Sequence, residues 1–100
     1  SAMLETQRRL YDLGIFAQDA PVQLDKIRAA IAASDPAELL REAHTLKGPL
    51  RVLGAPAAQL ALDLEMLGRA GRVDGAREIG AVLEREVERI LQSVLSMKRA

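Results

Sequence analysis

The chain has 100 residues, 49% of them hydrophobic but only 2% aromatic, with 14 basic and 14 acidic side chains in balance. That length supports one small core, and an Ala/Leu/Val/Ile-rich interior with so few aromatics suits close-packed helices better than sheets. Balanced charge excludes a global basic field for nucleic acid or anionic membrane. The lack of cysteine excludes disulfides, thiolate zinc sites and thiol nucleophiles, and no apolar run approaches the roughly 18 residues of a membrane span.

Ser1-Ala2-Met3 reads as an expression remnant, which leaves 4–100 as one domain cut from something longer. Leu10, Leu13, Ala17, Ala20, Leu24, Ile27 and Ile31 recur in steps of three and four, one continuous helical stripe. Pro21 interrupts it, and Asp19 is placed to cap a helix opening there. The register survives Pro21, so the segment is either one bent helix or two abutting helices on the same seam. Ser34-Asp35-Pro36 is a turn; Asp35 as N-cap, Pro36 at the first helical position and Glu38 at the third start a helix.

That helix runs from about Pro36 to about Leu53 on a stripe of Leu39, Ala43, Leu46, Leu50 and Leu53. Gly54-Ala55-Pro56 breaks it, and Pro56 opens the next helix, carrying Leu60, Leu64 and Leu67 and stopping in Gly68-Arg69-Ala70-Gly71. Asp74 is the expected cap of the last helix, with a stripe of Ile79, Val82, Leu83, Val87, Ile90, Leu91, Val94 and Leu95. Short connections imply antiparallel neighbours, hence an all-α, up-down four-helix bundle with an N-terminal helical extension.

The chain's only histidine, His44, sits in Ala43-His44-Thr45-Leu46-Lys47-Gly48. On a wheel of about 100° per residue, Leu40, Lys47, Gly48 and Arg51 fall within about 60° of His44, and the apolar stripe lies roughly opposite. His44 should therefore face solvent. A lone surface histidine is ordinarily just a solvated residue. Here, however, a glycine that costs a helix about 1 kcal/mol relative to alanine lies beside it and clears an approach. Neutral imidazole is a nucleophile, Lys47 and Arg51 can hydrogen-bond a phosphoryl group, and Leu40 offers an apolar spot to a partner. No other histidine, cysteine or serine is spaced to form a catalytic constellation with His44, and Lys47 and Arg51 cannot orient its ring as a carboxylate would. An enzyme using His44 as general base is therefore disfavoured.

These residues, with Leu53-Gly54-Ala55 and with Leu64-Glu65 in the following helix, resemble the histidine-containing phosphotransfer (HPt) domain of multistep His-Asp phosphorelays, from about Leu10 to Leu95. The resemblance implies that His44 is the phosphoacceptor, Lys47 the cation beside the phosphoryl group and Gly48 the opening for a partner. It gives Glu65 a helix-end or inter-helix pairing role. It also implies a cytoplasmic phosphocarrier without kinase activity, metal or cofactor of its own. The partners would be response-regulator receiver domains, free or within a hybrid sensor histidine kinase, and would supply the aspartyl phosphate and Mg²⁺; neither nucleic acid nor direct membrane contact is expected. A non-phosphorylated helical docking module and the phosphoacceptor domain of a chemotaxis-type histidine kinase are the alternatives. One departure stands out. Pro49 and Leu50 occupy positions that are usually small, often serine. Leu50 fits the buried stripe, whereas Pro49, about 140° from His44 on the wheel, should bend the helix without blocking the face.

Overall fold

A computed structural model describes the backbone of residues 2–99 and the side chains of residues 2–97; Ser1 of the expected remnant, and Ala100, lie outside the described residues. All regular structure among them is helical: α1 (Ala2–Ala32), α2 (Pro36–Val52), α3 (Ala57–Arg69) and α4 (Ala76–Arg99). Each helix packs on the next, and α4 returns to α1. None of them is long and apolar enough to cross a membrane.

The three connections share one device. A residue in the left-handed region follows the helix, and its amide and the next one turn back onto the last carbonyls. After α1 this residue is Ser34 (φ 53°), with Ser34 N–H donating to Ile31 and Asp35 N–H to Ala30. After α2 it is Gly54 (φ 69°), with the Gly54 amide donating to Arg51 and the Ala55 amide to Leu50. After α3 it is Gly71 (φ 74°), with bonds from Gly71 to Gly68 and from Arg72 to Leu67. Asp35 then caps α2 as expected, its carboxylate accepting from the Glu38 amide at 3.1 Å, with Pro36 in the first turn.

Other local expectations give way to packing. α1 is one continuous helix through the exposed Pro21, so Asp19 starts nothing. Its buried residues are Phe16, Ala20, Leu24, Ile27 and Ala30, while Leu10 is 54% exposed and Leu13, Ala17 and Ile31 are half-buried. Everything from Ala2 to Tyr11 is exposed. In α4, Ala76, Leu83, Val87 and Val94 are buried, whereas Val82 and Leu95 are exposed. Asp74, expected as the α4 cap, is ion-paired with Arg72 at 2.6 Å, which holds its carboxyl below the usual range. α2 continues through Pro49 to Val52. Pro49 lines a groove of about 320 Å³ against Phe16, Ala20 and Gln23 of α1, away from His44, and has no amide to donate to the Thr45 carbonyl.

The contact that positions the site is α2 on α3. The buried face of α3 is Ala57, Ala61, Leu64, Glu65 and Gly68, with Leu60 and Leu67 only half-buried. Small residues at 57, 61 and 68 let the backbones approach. A Cβ on Gly68 would lie 2.6 Å from the Pro36 carbonyl oxygen and 2.7 Å from the Leu40 nitrogen. Gly68 is thus a helix-contact residue rather than part of the stop signal. Both obstructing atoms are backbone, so Gly68→Ala should destabilise the chain by about 1–3 kcal/mol in denaturant unfolding, the range for overpacking. Ser34→Gly, which relieves a side chain in the left-handed region, should instead raise stability by about 0.5–1 kcal/mol.

Candidate functional site

With α2 started at Asp35 and α3 held against it at Gly68, His44 and Glu65 meet across the helix pair. Glu65 stands in the i, i+3, i+4, i+7 pattern of Ala61, Leu64, Glu65 and Gly68, a core position for a helix, and is 4% exposed. Its Oε1 accepts from His44 Nδ1 at 2.9 Å and from Lys47 Nζ at 2.8 Å. Its Oε2 accepts from Arg69 Nη2 at 3.2 Å.

These donors hold the Glu65 carboxyl down at about 2, first through the Lys47 hydrogen bond and then, against the opposing effect of burial, through His44 and Arg69. An ionised carboxylate only accepts. In neutral His44 the ring proton is therefore on Nδ1, and the Nε2 lone pair is left for chemistry. The imidazole side chain is 67% exposed, as the wheel predicts.

The other candidates divide. Gly48 is exposed, and a Cβ there would meet nothing within 4 Å apart from its chain neighbours and the helix's own backbone, so the approach beside His44 is open. Arg51 is exposed too. Lys47 is not the free surface cation of the wheel: its side chain is 14% exposed and committed to Glu65. Leu40 is half-buried, its backbone under Gly68 of α3. Arg69, read from the sequence only as part of the α3 stop, brings a 65%-exposed guanidinium to the same carboxylate. The sequence reading also found no carboxylate to orient the imidazole; Glu65 does so besides its inter-helix pairing. The signal for both residues was present, as an acid on the apolar face of a helix with an arginine four residues on.

Residues 13–93 match the family described as Hpt domain. The chain belongs to the Hpt-domain family. No curated protein and no solved structure matches it. Hpt domains are phosphocarriers of His-Asp phosphorelays that work with receiver domains, so membership implies phosphotransfer.

The depressed Glu65 carboxyl has a thermodynamic consequence. Unfolded, the group titrates near 4.5; folded, near 2. Its contribution is complete above pH 4.5 and is lost as pH falls from about 4.5 towards 2. Urea midpoints followed down this range should show a loss on the order of 2 kcal/mol. Glu65→Gln should be less stable at pH 7 and lack that part of the slope.

Proposed function

We propose that His44 accepts a phosphoryl group from a receiver-domain aspartate and passes it to another receiver aspartate. The observation that carries this reading is the Glu65–His44 bond, which assigns the proton to Nδ1 and leaves Nε2 as a nucleophile on an exposed ring beside the open Gly48 surface. Nε2 attacks phosphorus in line; an N–P bond forms as the bond to the aspartyl oxygen breaks, and the carboxylate leaves. Nδ1–H stays on Glu65 throughout, so the ring needs no proton transfer to react. The second transfer is the same step with the roles exchanged.

Arg51 and Arg69 provide exposed positive charge for the phosphoryl oxygens. Lys47 adds charge from beneath while keeping Glu65 ionised, and Leu40 and Gly48 form the edge a receiver covers. The Mg²⁺ is the receiver's; this chain contributes positioning and charge, the main levers in phosphoryl transfer. The bundle is taken as antiparallel up-and-down, because connections of three, four and six residues join helices that pack side by side.

Incubation with a phosphorylated receiver domain should place an acid-labile, alkali-stable phosphate on the protein. His44→Gln should abolish it, and Glu65→Gln should slow it roughly 10-fold or more by releasing the ring. Equal labelling of His44→Gln overturns the proposal, as does a wild type that takes up no phosphate, which leaves a docking module.

A further inference from the structure

Four of the six large hydrophobic side chains exposed on α1 are aligned. Leu4, Tyr11, Ile15 and Val22 are 66%, 71%, 42% and 51% exposed, and at 100° per residue they fall within about 20° of one line. That line runs on the side of α1 opposite Phe16, Ala20, Leu24 and Ile27, which face the core. Arg8 and Gln18 complete the seam between them. The spacings are seven, four and seven, so the pattern reads the same from either end.

A self-reversing stripe is what a two-fold contact between identical helices requires, since residue i must meet j while j meets i. We propose that α1 pairs with α1 of a second copy of this chain, antiparallel, with Tyr11 against Ile15 and Leu4 against Val22 of the other copy. The flanking charges favour this orientation. Arg8 and Asp19 lie about 40° and 60° to the same side of the stripe; antiparallel helices bring like flanks together, and this register sets Arg8 beside Asp19 of the second copy, twice over. A two-fold parallel pair would put these flanks on opposite sides of the seam and leave Arg8 and Asp19 without this pairing. The four side chains expose about 500 Å² per copy, or about 1,000 Å² for the pair, the lower end for a specific interface. The dimer is therefore a weak one, forming at micromolar concentrations or above. His44, Lys47, Glu65 and Arg69 lie on α2 and α3, outside the paired stripe.

Sedimentation of the chain across a concentration series tests this. The wild type should rise from the 10.8 kDa monomer towards twice that mass. Tyr11→Glu with Ile15→Glu should remain monomeric at every concentration, with unchanged helicity by circular dichroism. Arg8→Asp alone should weaken association roughly tenfold, and adding Asp19→Arg should restore it. Because the chain has no cysteine, Arg8→Cys mixed with Gln18→Cys should cross-link between copies, whereas Arg8→Cys alone, about 15 Å from its counterpart in this register, should not. A wild type that stays monomeric to millimolar concentration overturns the proposal, as does a Tyr11/Ile15 double variant that dimerises normally. Efficient cross-linking of Arg8→Cys with itself overturns the antiparallel register.

Discussion

The carboxylate of Glu65 is the group on which the rest of the site depends. Burying a lone carboxylate is costly, and three nitrogen donors from two helices offset that cost here. Removing any one of them leaves the others with a charge less well satisfied. The second buried acid shows the opposite outcome. Glu42 is 7% exposed, and burial, followed by the hydrogen bond with Glu38, pushes its carboxyl above the usual range. Two glutamates on adjoining helices thus shift in opposite directions: the donors bonded to Glu65 outweigh its burial, whereas at Glu42 burial and the Glu38 hydrogen bond outweigh Lys26 and Arg41.

This arrangement separates the tasks of the three polar groups. Glu65 decides which imidazole nitrogen carries the proton, Lys47 keeps Glu65 ionised, and Arg69 spans from the exposed surface to the buried carboxylate. The sequence reading gave Lys47 a direct role beside the reacting group; its 14% exposure places it a layer deeper.

Much of the fold was legible because caps and turns are local chemistry. Asp35 and Pro36 start α2 where the residue types indicate, and Gly54 and Gly71 turn the chain after α2 and α3. Which apolar residues form the core was less legible. Leu10, Val82 and Leu95 sit on helical stripes yet are exposed, while Ala57, Ala61 and Ala76 are buried, because periodicity finds a face but only the neighbouring helix sets its centre. Pro21 left one helix or two open, and the structure has one, with Phe16 and Ala20 before the proline and Leu24 and Ile27 after it all buried. His44 and Gly48 were readable from spacing within one helix. Glu65 and Arg69 required knowing which helix lies across the gap.

Gly68 acts as a gauge between the two halves of the site. It carries no functional group, yet the closeness of its α-carbon to Pro36 and Leu40 sets the gap that Glu65, one turn earlier, must span to reach His44 and Lys47. A hydrogen bond of 2.9 Å tolerates only a few tenths of an ångström before it weakens. Widening the helix pair would therefore loosen the imidazole before it unfolded the chain. Under the proposed function, a genetic screen for lost phosphotransfer would then return substitutions at this glycine together with those at His44, although Gly68 carries no side chain.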